Sequence, residues 1–263
     1  MTTLTPVQDR RPAAPVRARN LLAIASGKGG VGKTWFAITL AHALARARQR
    51  VLLFDGDLGL ANVDIQLGLM PRLDLASVLG GQTQLLQAVT HYGAGNFDII
   101  AGRSGSGCLS RIAPQRLHGL TDELMMVALS YDHVIIDLGG GIEQTVRELT
   151  RRAGGCIVIA TDEPTALTDA YAFIKLTRME QPLGEIRIVV NMAASRTDGE
   201  RTYATLDRAC QGFLKFSPPL LGVVRRDVRV REAIRVQMPL LTGFPSCDAA
   251  LDVEAVAERL LAG

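Results

Sequence analysis

The chain has 263 residues, 48% of them hydrophobic and 21% charged, with a formal net charge of +3. That length buries a core without staples, and the composition excludes wholesale disorder. Four cysteines, at 108, 156, 210 and 247, exclude a disulfide scaffold and suit a reducing, cytoplasmic compartment; no apolar run reaches the ~18 residues of a membrane span; and so small a net charge points to no specific nucleic-acid partner.

Residues 1–19 are rich in Pro, Ala, Thr and Arg without periodicity, and read as a flexible tail. They lack the apolar block of a secretory signal. Continuous apolar runs predict strands at 21–25, 51–55, 97–100, 133–137, 156–161, 186–191 and 220–224. Helical patterns fall at 33–47, 114–130, 141–152, 164–179, 199–213, 227–236 and 248–262, with short helices at 62–68 and 74–80 that each close on glycine. Buried strands alternating with amphipathic helices predict an α/β fold: a mostly parallel, twisted sheet with helices on both faces, a three-layer sandwich. No linker or repeat interrupts 20–263, so one domain is expected.

Residues 27–34 read GKGGVGKT, the G-x-x-x-x-G-K-[ST] pattern, in the strand–loop–helix context that a phosphate-binding loop requires. Gly27, Gly29, Gly30 and Gly32, with Lys28 and Val31 between them, free the backbone N–H groups to face phosphate oxygens. The following helix adds the positive end of its dipole. Lys33 is placed to contact the β- and γ-phosphates, and Thr34 to put its hydroxyl on Mg²⁺. The chain has four lysines, at 28, 33, 175 and 215, and spends two of them inside this loop.

Asp55 and Asp57 close the second strand, where carboxylates face the ligand crevice of a parallel sheet. Two residues apart on an extended segment, they point the same way. Both are candidates for Mg²⁺ or the attacking water, and the alternative is a pair of helix caps. Asp137 ends the strand VIID and reads as a Walker B acid reaching Mg²⁺ through water. The amide of Asn191 has the geometry to pair with adenine, although Asn at a strand end is also a common turn former.

The run KGGVGKT at 28–34 resembles the deviant Walker A loop of the MinD/ParA family of dimeric ATPases. The resemblance implies a P-loop ATPase that binds ATP or ADP with Mg²⁺ and hydrolyses slowly. It makes Lys28 the signature lysine that reaches the partner's nucleotide in an ATP-glued homodimer, Asp57 the residue orienting the water, and Asn191 a base contact. Two positions depart from the family pattern. Leu138-Gly139-Gly140 stands where D-T/S-x-A-G is usual, and these glycines are expected to loosen that switch. Arg225 stands in place of a proline near the base.

Within the family, four stretches resemble the flagellar number regulators of FlhG/FleN type: DLGLANVDIQLGL from 57, AGRSG from 101, DEPTALTDAYAFIK from 162, and LGVV at 221–224 with VREAI from 230. This implies control of flagellar number or placement, a flagellar partner such as the GTPase FlhF or a switch or regulator protein, and recruitment to the membrane or cell pole. MinD-like division-site positioning and ParA-like partitioning remain the alternatives. The activator segment of the flagellar branch is reduced to Gln8-Asp9-Arg10. The last sixteen residues carry four acids and one arginine, a face that anionic lipid repels. Membrane contact is therefore expected to be weak or partner-dependent. The arginines at 225, 226, 229, 231 and 235 read as a solvated face or a phosphate-side rim. Iron-protein reductases share the loop, but Cys108 and Cys156 lack the clustered spacing that a metal cluster needs.

Overall fold

Strand formation follows the apolar runs. The computed structural model describes residues 18–102, 112–181 and 184–263. Gln8, Asp9, Arg10, residues 103–105 of the AGRSG stretch, Cys108 and most of the predicted tail lie outside the described residues. Among the described residues there are eight strands: β1 (Ala18–Ser26), β2 (Val51–Gly56), β3 (Thr90–Tyr92), β4 (Phe97–Ile100), β5 (His133–Gly140), β6 (Ala153–Ala160), β7 (Glu185–Ala193) and β8 (Leu220–Arg225). They form one sheet in the order β3-β4-β2-β5-β1-β6-β7-β8, parallel throughout except for β3 against β4. β1 starts at Ala18, so the last two residues of the predicted tail are strand.

Side chains alternate across the pleat. Leu21, Ala23 and Ala25 of β1 join one core, and Leu22 and Ile24 join the other. The first core is covered by α3 (Leu75–Leu79), α4 (Pro114–Ala128), α5 (Gln144–Arg152), α6 (Pro164–Glu180) and α7 (Arg196–Ala209). The second is covered by α1 (Lys33–Arg46), α2 (Val63–Leu67), α8 (Val228–Arg235), α9 (Leu240–Gly243) and α10 (Asp248–Ala262). Helices therefore sit on both faces, as predicted. Phe36, Phe54 and Phe173 are wholly buried in these layers, each worth roughly 1.5–3 kcal/mol of transfer free energy.

Three features position the site. β1 lies between β5 and β6, so the loop that follows it crosses the crevice at the carboxyl ends of the central strands. β2 pairs with β5 so that Asp55 stands beside Asp137. β5 runs three residues past the predicted end, and Gly140 pairs with Ser26 of β1. The short edge strand β3 and the four-residue α9 were not anticipated, because runs of three and four residues carry no measurable period.

Candidate nucleotide-binding site

The loop between β1 and α1 takes its shape from backbone constraints. Gly30 and Gly32 have φ of +81° and +87°, a region that side chains other than glycine avoid. A Cβ on Gly32 would also sit 2.5 Å from the Asn191 amide nitrogen, so nothing larger fits. Gly27 backs onto the main chain of Asp169 in α6. No side chain caps α1, which leaves its first N–H groups, like those of Val31 and its neighbours, facing the crevice for an anion. Lys33 is buried, and its Nζ donates to Ser26 Oγ at 2.9 Å, while Ser26 Oγ donates to the Lys28 carbonyl at 2.6 Å. Burial pushes the Lys33 ammonium below its ordinary pKa, opposed by the nearby Asp137 and Asp57 carboxylates. A desolvated cation beside open backbone donors suits a polyphosphate.

Asp137 is fully buried on β5, and neither of its oxygens meets a hydrogen-bond partner of good geometry among the described residues. Burial raises its pKa to about 7, despite the pull of the Thr34 hydroxyl and the Lys33 ammonium. An orphaned buried carboxylate with a threonine hydroxyl facing it is a fitting seat for Mg²⁺ or its waters. Asp55 is equally buried, and burial and the Asp137 charge raise its pKa to about 8. Its two oxygens accept from the Asp57 and Val63 N–H groups at 3.3 and 3.2 Å. Asp55 thus ties the start of α2, whose N-cap is Asn62, to β2, one strand from Asp137. Asp57 lies beyond the end of β2 and is half-buried. Its Oδ1 accepts from the Leu60 N–H at 3.0 Å, and it lines a cavity of about 370 Å³ with Gly139, Gly140 and Glu143. Asp57 stands just past the strand end, and its charge bears on both Asp55 and Asp137.

The glycines after Asp137 allow a close approach of two main chains. Gly139 and Gly140 are strand residues, and a Cβ on Gly140 would lie 2.7 Å from the Gly29 nitrogen and 2.9 Å from the Lys28 carbonyl carbon. The phosphate loop and the end of β5 are in backbone contact, and only glycine permits it.

Asn191 lies inside β7, buried, and donates from Nδ2 to the Val31 carbonyl at 2.8 Å. That bond leaves Oδ1 as an acceptor beside a cavity of about 480 Å³. Arg225 and Arg226 line the same cavity. Arg225, standing where the family pattern has proline, is held by Asp252 of α10: its N–H, Nε and Nη2 donate to the buried carboxylate at 3.0, 2.8 and 3.0 Å, and Arg196 donates at 3.0 Å. Arg229 pairs with Glu232. Two of the five arginines expected as a basic face are thus already matched by acids.

Two residues of the site were not singled out from the sequence. Lys28 Nζ donates to Glu163 Oε2 at 2.6 Å and to Thr165 Oγ1 at 3.0 Å, at the start of α6. The Lys28 side chain is half-buried and its ammonium is held at the start of α6. The partners are 135 and 137 residues distant in sequence, and only the DEPT run hinted at them. The apolar face of α10 packs on β8 and α1 through Ala249, Val253 and Val256, so that face is not free for lipid. Cys156 is inside β6, where burial pushes its thiol up to about 12.

The sheet order, the glycine-rich loop between β1 and α1 and the buried acid on β5 define a P-loop NTPase. Residues 22–240 match the CobQ/CobB/MinD/ParA nucleotide binding domain. The chain belongs to that family, and with it to the nucleotide-binding P-loop ATPases. It is similar to the antiactivator FleN of Pseudomonas aeruginosa, 36% identical over 240 residues that cover 91% of this chain and 85% of that one. The flagellum site-determining protein YlxH of Helicobacter pylori is 30% identical, covering 83% of this chain and 76% of its own. The septum site-determining protein MinD of Bacillus subtilis is 32% identical, covering 91% and 88%. Among solved structures, MinD of Pyrococcus horikoshii complexed with Mg-ADP superposes with a TM-score of 0.78 at 25% identity, covering 94% of this chain and 98% of that one. No helix among the described residues is long and apolar enough to cross a membrane.

Proposed function

We propose that the chain is an ATP-dependent dimeric switch that regulates flagellar number or placement. Its two flagellar relatives support the flagellar role, and the Mg-ADP carried by the Pyrococcus MinD supports the ligand. One ATPase domain, residues 20–263, carries the switch. The observation that bears most weight is the hold of Glu163 and Thr165 on the partly exposed Lys28 ammonium, which meets a second copy's nucleotide once they release it.

The phosphates lie along Gly27, Lys28, Gly29, Gly30, Val31 and Gly32, against the first turn of α1, with Lys33 on the β- and γ-phosphates. Thr34 and Asp137 hold Mg²⁺, with Asp55 behind them, and the metal when bound supplies charge neutralisation at the transferring phosphoryl group. Asp57, in the cavity against Gly139, orients the attacking water. Asn191 accepts from the exocyclic amine of adenine through Oδ1, which a guanine carbonyl at that place would not provide. Closure on ATP exposes a surface for a flagellar partner, and hydrolysis resets it. Membrane contact is weak or partner-dependent, since α10 is acidic and its apolar face is covered. Division-site positioning, as in the MinD relatives, is the second reading; gene neighbourhood separates the two.

Size-exclusion chromatography of Asp57→Ala tests the switch. With ATP it elutes as a dimer and with ADP as a monomer, and Lys28→Ala in the same background stays monomeric while retaining calorimetric ATP binding. Monomer alone with ATP overturns the sandwich.

A further inference from the structure

We propose that Trp35 reads the nucleoside half of the ligand, an inference that rests on nucleotide binding at the loop. Trp35 follows Lys33 by two positions on α1, so its ring begins where the phosphate cradle ends. It lines the cavity of about 480 Å³ together with Gly32, Asn191 and Met192 on one side and Val230 and Ile234 of α8 on the other. This is a concave, largely apolar space with a few polar groups at its floor, the form that takes a planar organic group.

Two observations assign the ring a ligand role beyond packing. The cavity has no occupant from this chain, although the indole, 7% exposed, forms part of its wall. The indole Nε1 is buried and has no hydrogen-bond partner among the described residues. A buried unmet donor is costly, and packing alone fixes the ring. A small turn that brings Nε1 to a ribose oxygen removes that cost, and the ring face then stacks on the base or sugar. Elsewhere in the cavity Asn191 Nδ2 is engaged on Val31 and Arg225 on Asp252, while Asn191 Oδ1 remains an acceptor.

Trp35 is the chain's single tryptophan, so its emission reports on this cavity without a label. The full chain is titrated with Mg-ATP and with Mg-tripolyphosphate, following heat and emission in parallel. Mg-ATP is expected to release heat and change the emission. Mg-tripolyphosphate is expected to release heat and leave the emission unchanged. Trp35→Thr should weaken Mg-ATP about 3- to 10-fold and leave tripolyphosphate within about 2-fold, and Trp35→Phe should restore most of the loss, since the stacking face survives. Heat with Mg-ATP but no emission change overturns the role of Trp35 and leaves nucleotide binding intact. No heat with either ligand overturns nucleotide binding and the inference together. If Trp35→Thr does not fold, the emission of the unmodified chain decides.

Discussion

Asp252 on α10 is a heavily used carboxylate, and removing it gives a calculable loss. It is 3% exposed and accepts three bonds from Arg225, one of them from the main chain, and a fourth from Arg196. Replacement by alanine leaves a half-buried Arg225 guanidinium with only the exposed Asp248 as counter-charge, which costs about 3 kcal/mol, the low end for deleting one partner of a buried pair. For a chain of this size that lowers Tm by about 6–12 °C. Asp248 also pairs with Arg225, but its side chain is 58% exposed, and Asp248→Ala should cost under about 1 kcal/mol. Thermal melts of the two variants side by side test the reasoning. Burial alone would raise the Asp252 pKa, but the hydrogen bonds from Arg225 and Arg196 outweigh it and hold the carboxyl below its ordinary value. Its contribution is therefore complete above the unfolded-state pKa and is lost as pH falls through the lower folded-state value. The gap between wild type and Asp252→Ala should stay constant from pH 5 to 8 and close in strong acid. Equal melting of Asp252→Ala and Asp248→Ala would refute the clamp.

Asp55 and Asp137 titrate in the opposite sense: burial raises them to about 8 and about 7, so the folded state retains protons that the unfolded state has lost. Stability of the ligand-free protein should fall as pH rises from about 4 to 8, and Asp137→Asn should flatten that slope in thermal melts while abolishing the stabilisation by Mg-ATP. Gly140→Ala should lower ATP affinity at least about 10-fold by calorimetry, because its Cβ meets the Gly29 nitrogen at 2.7 Å; unchanged affinity would show that the loops can part. Lys33→Ala should abolish calorimetric nucleotide binding and leave far-ultraviolet circular dichroism unchanged.

The layers of the fold were legible because each buried strand is a continuous apolar run and each helix has a face. The loop at 27–34 was legible because its residues are consecutive. The parts that escaped depend on chain closure. Glu163 meets Lys28 across 135 residues and Asp252 meets Arg225 across 27, and no local pattern announces either pair. Arg225 looked like the loss of a base-packing proline, whereas it ties β8 to α10. Asp55 and Asp57 read alike in the sequence, whereas Asp55 is buried in β2 and Asp57 is half-buried just past its end at Gly56. Gly139 and Gly140 suggested slack because glycine is permissive in isolation; against another backbone the same lack of a side chain permits closeness.

That closeness has a mechanical consequence. A Cβ at Gly140 is excluded by the Gly29 nitrogen and the Gly141 N–H is bonded to the Ser26 carbonyl at 3.0 Å, so the two segments touch main chain to main chain. Any shift of the first on anion binding therefore meets the second directly, through backbone and without an intervening side chain.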